Sequence, residues 1–227
     1  MKVLNNRVAV IIPVYNEAKV LKQALAPLIK QKFSCICIND GSSDASSEIL
    51  KSLGIESFNH LINLGQGAAI ETGFEYVRRN TEKFDYVVTF DSDGQHTVDS
   101  ILDLLKEITR TNHEVILGSR FLSKFSNVPK IKKVLLRMSS ILARVSMRMK
   151  ITDRHNGLRI FTTQAVLKIY IKESGYAHAD DILRQIKKRK MSYSECPVEI
   201  KYTVYSKSKG QPLSNIFTIL FNNIVRS

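Results

Sequence analysis

Short apolar runs alternate with longer amphipathic stretches along the first half of the chain. Residues 8–14 (VAVIIPV), 35–39, 85–90 and 114–118 read as buried strands, and 57–62 as a short strand between the second and third of these. Helical stretches at 18–29, 45–53, 67–79 and 98–109 separate them. Pro27 is a weak point in the last turn of the first helix, and Ser43 or Asp44 is placed to cap the second. Strands alternating with helices of about ten residues predict an α/β fold with a mostly parallel central sheet flanked by helices. Such sheets bind ligands beyond the C-terminal ends of their strands, near a topological switch. Asn16 and Glu17, Asp40, Asp91 to Asp93, and Gly118 to Arg120 all fall at those ends. Four polar groups on one rim argue for a single site.

The pattern changes after residue 121. Over 134–149, Val134, Met138, Ile141, Leu142, Val145 and Met149 share one helical face, and Arg137, Arg144 and Arg148 lie away from it. This stretch suits a helix packed on the domain, a helix lying in a membrane interface, or a partner-facing surface. Further on, the spacing predicts a short strand at 157–161, helices at 163–172 and 180–188, and a strand at 192–200. Residues 202–210 are polar and turn-rich. Residues 213–225 are apolar and suit either a helix docked on the sheet or a second interfacial element.

Size and charge narrow the classes. A chain of 227 residues fits one domain, and the change of pattern divides it into residues 1–120 and 121–227. The net charge of +13 is unevenly placed: residues 121–150 hold eight Lys or Arg and no Asp or Glu, and Lys187 to Lys190 form a second cluster. Such charge suits nucleic acid, an anionic membrane surface or phosphorylated substrates. Nucleic acid is not expected, because an apolar helical face interrupts the basic residues and no aromatic stacking array accompanies them. Cys35, Cys37 and Cys196 form no disulfide framework or zinc spacing and suit a reducing compartment. No signal peptide or membrane-spanning run is expected.

The run FDYVVTFDSDGQH carries the most chemistry. Its strand delivers Asp91 and Asp93, on either side of the small Ser92, and then Gln95 into a loop. Carboxylates at i and i+2 can share one hard divalent cation, which often keeps substrate phosphates in its shell. In NLGQGAAIETGF, Gly65 and Gly67 precede a helix, so Gly67 suits either backbone contact with an anion or a tight turn. Asp40 suits hydrogen bonds to a base or ribose, or a turn cap. Arg120 suits a diphosphate or acceptor phosphate. Asp153 and Arg159 suit either a functional motif or a simple salt bridge with each other. Asp180 and Asp181 open a helix, where carboxylates are favourable for the dipole as well as available for catalysis. Tyr205, Lys207 and Lys209 lie on a segment able to close over a phosphate. His96 and His178 have no spacing that makes them ligands.

Together these stretches resemble family 2 glycosyltransferases, in the branch of dolichyl-phosphate mannosyltransferase-like enzymes. The resemblance rests on VAVIIPVYNEA, INDGSSD, NLGQGAAIETG, FDSDGQH, GSRF, TDRHNGLRIF and YSKSKGQ, in that order along nearly the whole chain. It implies a single-domain GT-A fold, with 1–120 the nucleotide-sugar-binding part and 121–227 the acceptor- and membrane-facing part, a GDP- or UDP-sugar donor and Mg²⁺ or Mn²⁺. Pro13, Tyr15 and Glu17 match the first nucleotide-contacting loop, and Asp40 the carboxylate near the base. Asp91, Asp93 and Gln95 match the metal and diphosphate site. Arg120 matches a phosphate-binding arginine, Asp153 and Arg159 the acceptor-side motif, and Lys209 the phosphate-clamping lysine of a mobile loop. The chain departs from the pattern at Gln66, where Lys is common, and at Lys201 or Thr203, where an arginine is frequent. The resemblance implies an inverting transfer to a polyprenyl phosphate (undecaprenyl or dolichyl), or to a lipid-linked glycan of the bacterial envelope. A phosphate acceptor needs no protein base; a sugar hydroxyl does, and Asp181, then Asp153, is the candidate. The expected place is the cytoplasmic face of a membrane, bound peripherally. The alternative activity is a nucleotidyltransferase that makes a sugar nucleotide.

Overall fold

The computed structural model describes residues 4–123, 140–141, 148–175 and 177–201. The expected helix at 134–149 lies almost wholly outside the described residues, and the segments 202–210 and 213–225 lie outside them entirely. The described strands join one seven-stranded sheet. In chain order they are β1 (Val8–Val14), β2 (Ser34–Asp40), β3 (Glu56–His60), β4 (Tyr86–Thr89), β5 (Val115–Ser119), β6 (Arg159–Thr162) and β7 (Tyr193–Pro197). The helices are α1 (Leu21–Lys30), α2 (Ser46–Ser52), α3 (Gln66–Arg78), α4 (Val98–Thr111), the single-turn α5 (Thr163–Val166) and α6 (His178–Lys188).

The sheet order is β3-β2-β1-β4-β6-β5-β7. β1 pairs in parallel with both β2 and β4, so the strand order reverses between them, and this switch opens a crevice at the carboxyl ends. β6 is antiparallel to both of its neighbours, with Arg159 opposite Thr89 of β4 and Leu117 of β5. The start of β6 therefore lies on the rim where the parallel strands end. That reversal brings residues 153–157 beside Asp91.

β1 is buried along its whole length, which explains its unbroken apolar run. Its residues divide between two cores. Ala9 and Ile11 pack with Phe74, Val77, Phe161 and Ile182 on the α3–α6 face. Val10 and Ile12 pack with Leu25, Leu28, Leu104 and Ile160 on the α1–α4 face. The first strand and both flanking helix layers are thus one unit. Helix α3 approaches β1 closely, because a side chain at Gly73 would overlap the Ile11 side chain.

The structure shifts several expected boundaries for identifiable reasons. Helix α1 begins at Leu21, not residue 18, because the Glu17 carbonyl accepts from Val20 and Leu21 in a preceding turn. Pro27 sits inside it without ending it. Asp44, rather than Ser43, serves the start of α2: its Oδ1 accepts from the Ser46 N–H at 2.9 Å and its Oδ2 from Ala18 at 3.0 Å. The helix expected at 163–172 stops after Val166. Residues 169–172 are instead held by side chains of the neighbouring helices. Arg78 donates to the Ile169 carbonyl, Glu71 accepts from the Ile171 N–H, and Asp181 accepts from Lys172. These bonds replace the helical ladder.

The tight α3–β1 contact generates a stability prediction. In Gly73→Ala, the better helix propensity contributes about 1 kcal/mol, but overpacking against Ile11 costs roughly 1–3 kcal/mol. The expected result is a lower urea midpoint with an unchanged slope. Gly175→Ala, where an added methyl meets nothing within 4 Å, should leave the midpoint nearly where it was.

Candidate active site

The site grows from the end of β4. Its last residues, Val87 to Thr89, are buried, and Phe90 follows them into the α1–α4 core. The chain then turns out at Asp91. The Ser92 hydroxyl is buried and donates to the Pro13 carbonyl at 2.8 Å, tying the Asp91–Asp93 loop to the end of β1. Gly94 takes a positive φ of 76°, the turn after Asp93.

Asp91 is clamped from three sides. Gln66 Nε2, in the first turn of α3, donates to Oδ1 at 2.8 Å. His96 Nε2 lies 3.0 Å from Oδ2. Gly157 forms the third wall, since a Cβ there would sit 2.5 Å from Oδ2. Burial pushes the Asp91 carboxyl up, but the hydrogen bond and charge of His96, helped by His178 and Arg120, outweigh it and hold the group below its usual value. Asp93 goes the other way: burial and then the Asp91 charge raise it. Gln95 donates to Asp93 through both its backbone N–H and its side-chain amide. Two neighbouring carboxylates that repel one another, with a carboxamide beside them, are a hard-oxygen set that fits Mg²⁺ or Mn²⁺. Among the described residues no group of three or more His, Cys, Asp or Glu side chains is placed to hold a metal. A cation here would rest on Asp91, Asp93, Gln95 and the donor's own phosphates.

A buried band of ion pairs backs this centre. Arg120 Nε donates to Asp153 Oδ2 at 2.6 Å, and the Arg120 N–H does so at 3.0 Å. Arg154 grips Asp180, with its Nε 2.9 Å from Oδ1 and its Nη2 on Oδ2. The expected Asp153–Arg159 bridge is not what forms. Arg159 directs its hydrogen bonds to the carbonyls of Asn156, Ala179 and Arg154. Burial pushes its guanidinium down to about 10, while the charges of Asp180, Asp153 and Asp91 support it. It remains a cation at neutral pH, sunk behind Asp91. Asp153 Oδ1 and Asn156 Nδ2 are buried and lack a hydrogen-bond partner among the described residues.

Other expected residues fall elsewhere. Asp40 caps a turn: Oδ1 accepts from Leu64 N–H at 2.9 Å and Oδ2 from Gly65 N–H at 2.8 Å, and His60 Nδ1 lies 2.7 Å from Oδ1. Of the two expectations for Asp40, the cap is the one this geometry supports. The anion cradle at Gly67 is not formed, because the N–H groups of Gly67 and Ala68 both donate to the Ser174 carbonyl. Gly67 is needed there because a side chain would collide with Glu173 and His178. Asp181 Oδ2 accepts from the Lys172 N–H at 2.7 Å and Oδ1 from Gln185 at 3.3 Å. It holds the segment at 169–172. Pro13 and Glu17 are buried at the β1 end and the turn beyond it, whereas Tyr15 is exposed. Lys209 lies outside the described residues.

Sequence reasoning missed Gln66, His96, His178 and Gly157. The signal for His96 was its place three residues after Asp93 in the same loop. Gln66, His178 and Gly157 reach Asp91 only through folding. A cleft of about 540 Å³ lined by Thr97, Asp103, Glu107, Arg110 and Cys196 lies on the α4 face and contains none of the Asp91 cluster.

The geometry around Asp91 and His155 can be tested at two positions. In Gly157→Ala the new methyl displaces the Asp91 carboxylate, so Mn²⁺-supported nucleotide affinity should fall by roughly tenfold or more with the thermal midpoint shifted only slightly. Calorimetric titration measures the first and scanning calorimetry the second. The other position is His155, whose pKa burial and the adjacent Arg154 charge push down to about 4. The unfolded chain binds this proton below about 6.5, and the folded chain only below about 4. Stability should therefore fall as pH drops from about 6.5 toward 4, and His155→Gln should flatten that limb of the urea-midpoint profile.

Comparison with known proteins identifies the family. Residues 9–170 match the family model described as Glycosyl transferase family 2. The chain is 30% identical over 233 residues to the UDP-N-acetylglucosamine–dolichyl-phosphate N-acetylglucosaminyltransferase of Methanococcus voltae, covering 93% of this chain and 92% of that one. It is 27% identical over 213 residues to a dolichyl-phosphate β-glucosyltransferase of Trichomonas vaginalis, covering 84% of this chain and 64% of that one. Its fold is similar to glucosyl-3-phosphoglycerate synthase of Mycobacterium tuberculosis, solved with Mn²⁺, UDP and phosphoglyceric acid. That match has a TM-score of 0.68 at 14% identity, over 92% of this chain and 72% of that one. The sheet, the rim and these matches together make the fold GT-A and the activity that of a glycosyltransferase, and the chain belongs to glycosyl transferase family 2.

Proposed function

We propose that this chain performs a metal-dependent, inverting transfer of a sugar from a nucleotide-sugar donor to a polyprenyl phosphate. The observation that carries the reading is the Asp91–Asp93–Gln95 set at the β1–β4 switch, backed by the cations Arg120 and Arg159. Family membership leaves the nucleotidyltransferase alternative without support. The names of the relatives in Methanococcus voltae and Trichomonas vaginalis, both acting on dolichyl phosphate, support the acceptor class.

The roles divide along the rim. Asp91, Asp93 and Gln95 hold a divalent cation, which when bound supplies charge neutralisation on the departing nucleotide diphosphate. Gln66 and His96 keep Asp91 in one orientation, so the carboxylate does not have to reorganise when the donor arrives. Pro13, Tyr15, Glu17 and Asp40 border the donor, with Asp40 acting through the turn it caps. Arg159, a buried cation behind Asp91, favours an anionic acceptor phosphate beside the donor, and Arg120, paired with Asp153, borders the same place. Lys209 is assigned to the phosphates by the family resemblance.

The carboxylates on the acceptor side favour phosphate over a sugar hydroxyl. A hydroxyl acceptor needs a base within hydrogen-bond reach. The Asp153 side chain is 0% exposed and paired with Arg120, and Asp181 is engaged by the Lys172 backbone. An acceptor phosphate is already an anionic nucleophile and needs neither. The lipid-linked glycan remains the second acceptor, and the surface of an anionic membrane is the proposed workplace. No helix among the described residues is long and apolar enough to cross a membrane.

The test pairs binding with product analysis. In Asp93→Asn, Mn²⁺-supported affinity for UDP or GDP should fall and turnover drop by roughly a hundredfold or more, with the fold retained. Calorimetry with and without Mn²⁺ measures the first. Mass spectrometry of products from a donor panel, offered a polyprenyl phosphate and a lipid-linked sugar, measures the second and identifies the acceptor. Nucleotide affinity that ignores both Mn²⁺ and the substitution would reject the metal site. Product on the glycan alone would reject the phosphate acceptor.

A further inference from the structure

The loop between β3 and α3 carries large apolar side chains that no other described residue covers. Leu61 is 101% exposed, Ile62 66% and Leu64 46%. Single exposed leucines are ordinary on a protein surface, but three large aliphatic residues within four positions make a patch. The stretch Leu61 to Gln66 contains no ionisable residue. Its backbone is fixed from beneath. Asp40 accepts the N–H groups of Leu64 and Gly65, and Gly41 packs so close that a Cβ there would lie 2.5 Å from the Ile62 carbonyl carbon. The side chains are therefore held outward and are not free to fold back into the core.

The position of this loop matters as much as its exposure. It leaves the carboxyl end of β3, on the rim that carries the site. Two residues past Leu64, Gln66 holds Asp91. On its other side Gly65 and Gly67 abut Ser174, in the segment that leads into α6. The apolar tip thus flanks the mouth between the Asp91 cluster and the α6 side of the site.

We propose that Leu61, Ile62 and Leu64 form a tip that enters the acyl-chain boundary of an anionic lipid bilayer and seats the mouth of the site on it. The proposal rests on the lipid-acceptor reading. A polyprenyl phosphate keeps its chain in the bilayer and its phosphate at the surface, so the site must come within reach of that surface. An apolar, uncharged tip beside the mouth gains by leaving water and has no charge to desolvate. The net charge of +13 adds attraction to an anionic leaflet over a Debye length. The occupant is lipid, not a second copy of the chain.

The chain has no tryptophan, so one substitution makes a site-specific reporter. The Leu61→Trp protein is mixed with anionic vesicles, with and without brominated acyl chains. Leu4→Trp, exposed ahead of the opposite, amino end of β1, is the control. The tip predicts a blue shift and quenching by brominated lipid for Trp at 61, and neither for Trp at 4. The paired change Leu61→Ser with Ile62→Ser should weaken vesicle co-sedimentation roughly tenfold or more. The same pair should leave transfer to a water-soluble, short-chain prenyl phosphate unchanged. Unquenched emission at position 61 overturns the proposal, whether the protein binds vesicles by another surface or not at all. Emission already blue-shifted without lipid also overturns it, since the tip is then covered by protein. Quenching at 61 in an enzyme that cannot use any prenyl phosphate supports the tip and rejects the acceptor reading instead. Transfer to prenyl phosphate without quenching does the reverse.

Discussion

Fixing one carboxylate at the edge of a sheet governs the arrangement of this site. The Asp91 side chain is only partly exposed, and its ionised form is held by the hydrogen bonds and opposite charge around it. Gln66, His96, His178 and Arg120 supply them from four separate parts of the chain. The α3 amino end, the β4–α4 loop, the start of α6 and the end of β5 must all be in place before Asp91 can sit where it does. Gly157 completes the wall because no side chain fits between its Cα and the carboxylate. The result is a geometry in which Asp91 is already held in one orientation by its neighbours.

Behind this centre, charge is handled by local pairing. Arg154 with Asp180 and Arg120 with Asp153 lie almost fully out of water. Removing one member of such a pair strands its partner, so each pair holds the loops on this side of the sheet in place. Glu195 extends the same logic from β7, since one of its oxygens accepts from Thr152 and Asp153 and fixes the loop that presents Asp153. Arg159 differs in that its hydrogen bonds go to backbone carbonyls, while the charges of Asp180, Asp153 and Asp91 support its cation from around it.

Much of this is readable before folding. The five strands and four helices of the first half come from apolar runs and their spacing, and β1 matches its expected bounds residue for residue. The Asp91–Asp93–Gln95 loop is legible because a buried strand must deliver its succeeding residues to a rim. Hydrogen bonds across long sequence distances are not legible. The 169–172 strap has helical composition, yet Glu71, Arg78 and Asp181 offer its backbone better partners than its own ladder. Asp40 suits a ligand contact because a strand-end carboxylate points at the rim, but the nearer N–H groups of Leu64 and Gly65 claim it.

By itself the sequence determined the α/β class, the rim on which the polar residues gather, and the resemblance to glycosyltransferases. These depend on periodicity and local motif, which are properties of neighbouring residues. Only the tertiary structure decided that β6 runs antiparallel and returns residues 153–157 to the Asp91 rim, since strand direction depends on how the chain crosses the sheet. It also decided which cation meets which carboxylate. Arg120 takes Asp153, 33 positions away, and Arg154 takes Asp180, 26 positions away, because buried charges pair with whichever partner packing brings within hydrogen-bond distance.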